Sequence, residues 1–203
     1  MNRNQIAERA ADPTVNPYAP PLAPAAPRGR RRARFSRLVW VYVALESLGL
    51  VADAAHLAGL TRGPFGVFVR VGGSAVGLAW LYSAWNRLPD RLRAFEGRSF
   101  SPTAVVLRHF IPLYGLFWLF RAQHFLCDAL DAWLIEKEHA GGTPRQMATV
   151  ACALVLVTSF VSAQRAPFAL RLALALASAA AWTAYMFAIE QCFARAFRKR
   201  VAA

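Results

Sequence analysis

The chain alternates long apolar stretches with short polar ones, and four of the apolar stretches are long enough to cross a lipid bilayer. They cover about residues 38–60, 65–85, 147–163 and 172–189. A helix rises 1.5 Å per residue, so about 20 apolar residues span the hydrocarbon core. The pattern therefore predicts an all-α, polytopic membrane bundle with four transmembrane helices.

A fifth apolar stretch, residues 110–120, is shorter than the others, contains Pro112 and is bounded on both sides by basic residues. Apolar runs of about 10–14 residues are typical of re-entrant or interfacial segments. The stretch is long enough to span only if it is extended back to Pro102, with Arg108 turned inward or snorkelling to the membrane surface. The sequence therefore leaves this short segment as re-entrant, interfacial or spanning.

The composition agrees with a membrane protein, and the charges bear on its orientation. The chain is 57% hydrophobic and 17% charged, with a mean hydropathy of +0.31, which is more apolar than an ordinary soluble domain. Its net charge of +13 comes from arginines at the edges of the apolar runs, where orientation signals are found. Arginine far outnumbers lysine and alanine is abundant, a bias typical of a GC-rich bacterial genome.

The basic segments predict a bacterial inner-membrane protein with a cytoplasmic N-terminus. They precede the first span (28–37), follow the second (86–101) and close the chain (195–200). Four crossings leave all three segments in the cytoplasm, whereas five place the basic C-terminus outside, against the positive-inside tendency. We therefore favour four crossings. Membrane lipids are the expected partners. A protein partner or a homo-oligomer stays open, and nucleic acid is not expected because no binding fold or aromatic interleaving accompanies the charge.

The domain organisation follows from the same pattern. Residues 1–34 are rich in proline and arginine and poor in apolar residues, which predicts a disordered cytoplasmic arm. Residues 35–195 form the membrane helical domain, and 196–203 form a basic C-terminal tail. Three cysteines show no CxxC spacing, so neither a zinc site nor a disulfide framework is indicated, and no cofactor is expected; they are Cys127, Cys152 and Cys192.

Two features of the apolar stretches favour close helix packing. Gly73 and Gly77 form a GxxxG pair in the second span, which allows another helix to approach closely. The last span is lined with alanines and Ser178, a small-residue surface of the kind that packs against other helices.

Ionisable residues inside the first two spans form a candidate intramembrane polar site. Glu46, Asp53 and His56 lie within the first span at spacings of seven and three, which places them on one broad helical face. Arg70 lies in the second span at a depth that matches Asp53 across the hairpin. Charged groups at such depth are costly and are functional candidates by default. A buried ion pair between the two helices and a proton or ion pathway are the two interpretations.

A second candidate site surrounds the short segment. Arg108, His109, Arg121 and His124 are basic residues on its two sides and are candidates for binding a lipid headgroup. On a helix, Arg121 and His124 share a face with two aspartates further along, Asp128 and Asp131. The solvated side of an interfacial helix explains the same stripe. A metal site is not supported, because His124 and Asp128 alone are too few ligands.

The order of motifs along the chain resembles a family of bacterial membrane proteins known as domain of unknown function 4328. The resemblance rests on Trp80 and Asn86 at the end of the second span, on an F-S-P motif and on an F-I-P motif; these two motifs are Phe100, Ser101, Pro102 and Phe110, Ile111, Pro112. It implies a membrane domain of several helices and no activity, cofactor or catalytic residue. The family pattern carries an asparagine three residues after the second proline, where this chain has Gly115.

Three functions fit these observations. The first is a non-enzymatic scaffold or accessory protein of the inner membrane, whose basic regions contact lipid or a partner. The second is a small proton, ion or solute transporter or channel that uses Glu46 and Asp53. The third is a membrane-embedded enzyme that acts on lipid, with no catalytic residue assigned.

Overall fold

The computed structural model describes residues 36–57, 65–95, 98–137, 139, 141–163 and 166–198. Six α-helices lie within these residues: α1 (Arg37–Leu57), α2 (Phe65–Arg87), α3 (Pro102–Leu107), α4 (Tyr114–Glu136), α5 (Arg145–Ala163) and α6 (Phe168–Phe197). Two 3₁₀ helices (Asp90–Arg93 and Arg108–Phe110) and two antiparallel two-residue strands, β1 (Ala94–Phe95) and β2 (Arg98–Ser99), complete the described elements. The prediction of an all-α protein is therefore confirmed. The predicted disordered arm and the last five residues of the chain lie outside the described residues.

Four of the five long helices, α1 with α2 and α5 with α6, pack as two antiparallel pairs. In the first pair, Gly73 of α2 faces Glu46 of α1, and Val69 lies beside Gly49. In the second pair, the Thr158 hydroxyl of α5 donates to a backbone carbonyl of α6. Helix α6 also packs against α1 and α4, so it connects the two halves of the bundle.

The fifth apolar stretch is not one straight helix, because the chain reverses direction within it. Helix α3 and the 3₁₀ turn that follows it end at Phe110, and α4 begins at Tyr114. The Trp118 indole donates to the carbonyl of Val105, thirteen residues earlier, over 2.7 Å. Those two residues would lie about 20 Å apart on a continuous helix. Residues 102–120 therefore form a helical hairpin, which we call the α3–α4 hairpin.

Local chemistry explains where the hairpin starts and turns. The Ser101 hydroxyl accepts from the Ala104 amide as the N-cap of α3, and Pro102 occupies the first turn, where its missing N–H is not needed. At the reversal, Leu113 has a φ of 60°, which is uncommon for a residue other than glycine. Leu113 is 84% exposed, so no packing of its side chain compensates for this backbone conformation.

One end of the bundle gathers the beginning of α1 and the ends of α2, α4 and α6. The Ser36 amide, at the start of α1, donates to the Glu190 carboxylate of α6. Arg91, just after α2, pairs with Glu136 at the end of α4, and Trp133 of α4 packs edge-on against Phe197. We call this the basic end, because it carries seven described arginines: Arg37, Arg87, Arg91, Arg93, Arg145, Arg195 and Arg198.

Two described helices are long and apolar enough to cross a membrane by length and composition. They are α5, over Arg145–Ser162, and α6, over Phe168–Phe197, and only 17% and 22% of the respective stretches are buried within the protein. The core helix of a soluble protein would be mostly buried. These two helices match the third and fourth predicted spans, whereas the full count of four crossings stays a prediction.

Candidate functional site

A cavity of about 330 Å³ lies in the middle of the bundle, between the two helix pairs and the α3–α4 hairpin. Five helices and the 3₁₀ turn of the hairpin contribute to its wall. Its apolar lining includes Leu50, Leu78, Leu81, Leu119 and Val155. The residues of the wall that carry a polar group are Tyr42, Glu46, Ser74, His109, Gln123, Thr158, Ser159, Ser178 and Trp182. The cavity is thus a partly open, mainly apolar pocket with several polar groups on its wall.

Among the described residues of the wall, Glu46 is the one with a carboxylate. Two neighbouring residues, Tyr42 and Gly73, fix the position of this side chain. It lies at the midpoint of α1, where Tyr42, one turn earlier, is hydrogen-bonded to it. On α2, Gly73 makes room for the carboxylate: a Cβ at this position would lie 2.7 Å from Oε1 of Glu46. The GxxxG pair predicted from the sequence therefore serves the site directly, because its first glycine accommodates the acidic side chain.

The hydroxyl groups on α5 present oxygen lone pairs to the cavity rather than protons. The Ser159 hydroxyl donates to the Val155 carbonyl over 2.7 Å, and the Thr158 hydroxyl donates to the Leu174 carbonyl over 3.2 Å. A hydroxyl has one proton to donate and two lone pairs that accept. With its proton committed to the backbone, each of these two side chains offers acceptor capacity to a ligand.

His109, at the turn of the hairpin, is a further polar residue of the wall. Its Nδ1 lies 3.0 Å from the Val105 carbonyl, so Nδ1 carries the proton of the hydrogen bond. Its Nε2 is buried and has no hydrogen-bond partner among the described residues. Desolvation by burial lowers the pKa of His109, although the backbone hydrogen bonds oppose the shift. The ring therefore favours the neutral form, and its Nε2 is enclosed by the protein.

Gln123 is the most buried polar residue of the wall, with 1% of its surface exposed. Its Oε1 accepts from the Tyr185 hydroxyl over 3.0 Å, and Tyr185 is itself fully buried. This bond orients the amide, whose nitrogen donates hydrogen bonds. Neither Gln123 nor Tyr185 was singled out by the sequence, because an isolated amide within an apolar helix belongs to no motif.

A second buried polar cluster lies at the basic end and was also missed by the sequence. The Glu190 side chain is 1% exposed and accepts from both terminal nitrogens of Arg87, over 2.8 Å for one of them. It also accepts from the Trp80 indole over 3.0 Å. The Arg87 guanidinium lies 4.1 Å from the ring centre of Phe193. The cluster joins α2 to α6, and its residues Glu190, Arg87, Trp80 and Phe193 are not among the described lining residues of the cavity.

The predicted intramembrane site is only partly within the described residues. Glu46 lines the cavity. The backbones of Asp53, His56 and Arg70 belong to α1 and α2, but their side chains lie outside the described part of the structure. The predicted pairing of Asp53 with Arg70 therefore stays a prediction.

The four residues of the predicted lipid-headgroup site have different neighbours. The Arg108 guanidinium lies over Phe100 and Trp118, at 4.6 and 4.7 Å from the ring centres, so it reaches back along the hairpin. The guanidinium of Arg121 lies over Phe125, 5.0 Å from its ring centre. His124 shares a hydrogen bond with the Thr149 hydroxyl of α5, and His109 lines the cavity.

The acidic residues that follow on α4 anchor the start of α5. Asp131 accepts from the backbone amides of Gly142 and Thr143 and from the Thr143 hydroxyl. Asp128 pairs with Arg145 at the first residue of α5. The polar stripe of α4 is thus largely a helix–helix contact, not only a solvated face. Among the described residues, no group of three or more His, Cys, Asp or Glu side chains is arranged to hold a metal ion.

Comparisons of the chain with family models, with curated proteins and with solved structures find no match. The resemblance to the domain of unknown function 4328 family therefore stays a prediction. Three of the eight residues behind it form hydrogen bonds within the fold: the Trp80 indole donates to Glu190, the Asn86 carbonyl accepts from Arg93, and Ser101 caps α3. At the turn of the hairpin, Phe110 and Ile111 are exposed, and the Pro112 carbonyl accepts from the Tyr114 amide.

Proposed function

We propose that the protein is a four-span bacterial inner-membrane transporter or channel, which carries a small solute through the Glu46 cavity. The proposed spans are α1, α2, α5 and α6, and the α3–α4 hairpin is re-entrant. The low burial of α5 and α6 supports this proposal. Large apolar side chains are also exposed along α1 and α2; Val51, Phe68 and Val71 each expose more than 60% of their surface. Such a surface is suited to lipid and unfavourable in water.

The orientation follows from the basic end. The positive-inside tendency places this end in the cytoplasm. From the cytoplasm, α1 crosses the membrane outward and α2 crosses back. The hairpin then enters the membrane and returns to the cytoplasmic side. Finally, α5 crosses outward and α6 crosses back. Both termini of the membrane domain are then cytoplasmic. A reporter fused after residue 203 is active only on the cytoplasmic side under this proposal.

The observation that carries the transport proposal is the position of the cavity. Glu46 lies at the midpoint of α1, Ser74 and Gly77 near that of α2, and Ser178 close to that of α6. In a bilayer these positions lie near the midplane, where secondary transporters bind substrate. Carboxylates at such depth mark ion and substrate pathways. A scaffold that acts only through its basic surface has no need of a carboxylate in a central cavity.

The first prediction concerns flux through the cavity. Proteoliposomes containing the full-length protein are given inward gradients of methylammonium, of acetate and of glycerol in separate experiments. At least one solute is expected to enter faster than into empty liposomes. Glu46→Gln should reduce the rate about tenfold or more, because a charge-assisted hydrogen bond is worth about 1.5–3 kcal/mol.

The matched control for this experiment is Glu136→Gln, which makes the same chemical change at an exposed site away from the cavity. Its flux should equal that of the wild type. No flux of any solute in the wild type would refute transport and leave the scaffold hypothesis. Equal flux in wild type and Glu46→Gln would remove the cavity from the pathway.

The second prediction concerns the glycine that accommodates Glu46. Gly73→Ala places a methyl group 2.7 Å from Oε1, so the carboxylate must move. We expect flux to fall severalfold while the thermal unfolding midpoint stays the same or rises, because alanine favours a helix over glycine by about 1 kcal/mol.

Gly72→Ala is the control, since Gly72 is not among the lining residues and its Cβ would meet nothing closer than 3.8 Å. It should retain flux. If both alanine variants behave alike, the placement of Glu46 by Gly73 is not what matters.

A further inference from the structure

Three buried side chains of the cavity wall carry hydrogen-bond donors that have no acceptor among the described residues. They are Gln123, Ser178 and Trp182, whose exposed fractions are 1%, 9% and 8%. An N–H or O–H group that is removed from water without an acceptor is costly, and nearly all such groups in proteins are paired. A ligand in the cavity that carries an acceptor would pair them.

The Trp182 donor lies beside α2. An indole N–H can only donate, and the Nε1 of Trp182 lies 3.9 Å from the position that a Cβ at Gly77 would occupy. Gly77 also lines the cavity. Because glycine has no side chain, the space beside this N–H stays open to a ligand.

Neighbouring hydrogen bonds leave the donors of Gln123 and Ser178 for the cavity. The Gln123 oxygen accepts from Tyr185, which is not a lining residue, so the amide nitrogen is the end that the cavity can reach. A helical serine often donates to the carbonyl one turn earlier. For Ser178 this is the Leu174 carbonyl, which accepts from Thr158 instead.

The same wall offers acceptors on α5. The hydroxyls of Thr158 and Ser159 donate their protons to backbone carbonyls and keep lone pairs. A ligand that meets both sets of groups carries an acceptor oxygen together with an N–H or O–H donor. The Glu46 carboxylate is already hydrogen-bonded to Tyr42, and the Nε2 of His109 is enclosed by the protein, so the ligand does not depend on either.

The neutral donors and acceptors and the apolar lining favour an uncharged ligand. No Lys or Arg is present among the described lining residues to pair with an anion, and an unpaired buried charge is costly. An ammonium group brings donors and no acceptor for the N–H groups of Gln123 and Trp182. The cavity measures about 330 Å³, whereas an apolar cavity of about 150 Å³ already holds benzene. There is room for a ring-sized apolar body with one small polar group.

From these observations we infer that the cavity binds a neutral carboxamide with a compact apolar body. Its carbonyl oxygen accepts from the donors of Gln123, Ser178 and Trp182, its own N–H donates to a hydroxyl oxygen of α5, and its apolar part lies against the leucines. This assignment rests on the proposed function for its biological meaning, since it names the class of solute that the transporter carries. The binding itself is independent of whether the solute crosses the membrane.

The test is a fluorine NMR titration of the full-length protein in lipid nanodiscs, with para-fluorobenzamide as the probe and empty nanodiscs to measure partition into lipid. Saturable one-to-one binding above partition is expected. Para-fluorotoluene keeps the ring and has neither donor nor acceptor, so it should bind at least about tenfold more weakly. Para-fluoroacetophenone keeps the carbonyl and lacks the N–H, so its affinity should lie between these two. The charged analogues para-fluorobenzoate and para-fluorobenzylammonium should bind more weakly than the amide.

This comparison of ligands uses the wild-type protein alone and does not depend on the folding of a variant. The inference is overturned if para-fluorobenzamide shows no saturable binding, which would leave water as the partner of the donors. It is also overturned if any of the four analogues binds as tightly as the amide.

Variants then locate the site. Ser178→Ala and Trp182→Phe each remove one donor, and each should weaken para-fluorobenzamide binding severalfold. The matched controls are Ser162→Ala and Trp40→Phe, which make the same changes at exposed residues outside the lining. Both controls should bind as the wild type does. Unchanged affinity in both Ser178→Ala and Trp182→Phe would overturn the inference.

Failure of this inference and failure of the transport proposal give different results. Saturable amide binding without flux of any solute keeps the ligand class and removes transport. Flux of methylammonium, acetate or glycerol without amide binding keeps transport and overturns the ligand class.

Discussion

Glu190→Ala is expected to destabilise the protein by about 3–5 kcal/mol, the cost of breaking a buried ion pair from one side. The Glu190 side chain is 1% exposed and that of its partner Arg87 is 14% exposed, so the guanidinium would be left nearly buried without its counter-ion. The Trp80 indole and the Ser36 amide would lose the same acceptor. The free energy of unfolding, measured by SDS titration of the detergent-solubilised protein, tests the prediction.

Removing both charges together distinguishes the destabilisation by one unpaired buried charge from the net stabilisation by the ion pair. Arg87→Met with Glu190→Leu keeps similar volumes and leaves no buried ion, so it should lie much closer to the wild type than Glu190→Ala does. Equal destabilisation by the single and the double variant would contradict this account. A single variant that unfolds like the wild type would show that the cluster is not buried as described.

The exposed ion pair at the same end of the bundle is the comparison for this experiment. Arg91 donates to Glu136 and holds the pKa of this carboxyl below its usual value, although both side chains are largely in solvent. A lowered carboxyl pKa stabilises the fold at neutral pH and loses this effect as the pH falls through the folded pKa. Exposed pairs contribute little, so Glu136→Ala should leave the unfolding midpoint unchanged.

The cluster of Glu190 and Arg87 is a feature that the hydropathy pattern does not predict. The apolar pattern predicts a last span that ends at residue 189, because Glu190 interrupts it, whereas α6 continues to Phe197. The partner of Glu190 lies 103 residues earlier, at the end of α2. The pattern assigns Arg87 to a polar loop. Hydropathy treats each charge as the end of a helix, and a single chain gives no indication that two such charges neutralise each other.

The cavity was predictable in part. Glu46 was singled out because a carboxylate in an apolar helix is costly wherever it lies. Gly73 was singled out for helix packing, and its relation to Glu46 follows only from the register of α1 and α2. Thr158 and Ser159 carry no signal in the sequence, since hydroxyls bonded to the backbone are common within apolar helices. Their role depends on which faces α5 and α6 turn toward the hairpin.

For the short segment, too, the sequence predicts the kind of element but not its geometry. Its length and Pro112 favour a piece that does not cross, and the structure divides it at a reversal. The position of that reversal was not predictable, because it depends on Leu113 adopting a positive φ. Val105 and Trp118 then pair across the hairpin, which is a contact between two residues with no shared motif.

Gly115→Ala is expected to disrupt this hairpin. A Cβ at this position would lie within 2.3 Å of the His109 carbonyl oxygen and 3.1 Å of its carbon, both of which are backbone atoms. No rotamer change relieves such a contact, so the two limbs must separate. We expect a loss of about 1–3 kcal/mol in the free energy of unfolding, together with reduced solute flux, because His109 lies at the cavity wall. SDS titration and the proteoliposome flux assay on the same preparation measure the two effects.

Gly115→Asn tests the resemblance at the same position, since the family pattern carries asparagine there. The structure leaves no room for the Cβ, so this variant should be at least as disruptive as Gly115→Ala. Leu113→Gly is the matched control, with the opposite expected effect on stability. It removes the positive-φ penalty and a side chain that is 84% exposed. This variant should therefore unfold no more easily than the wild type. A stable Gly115→Asn protein with normal solute flux would mean that the limbs of the hairpin are further apart, as the family pattern implies.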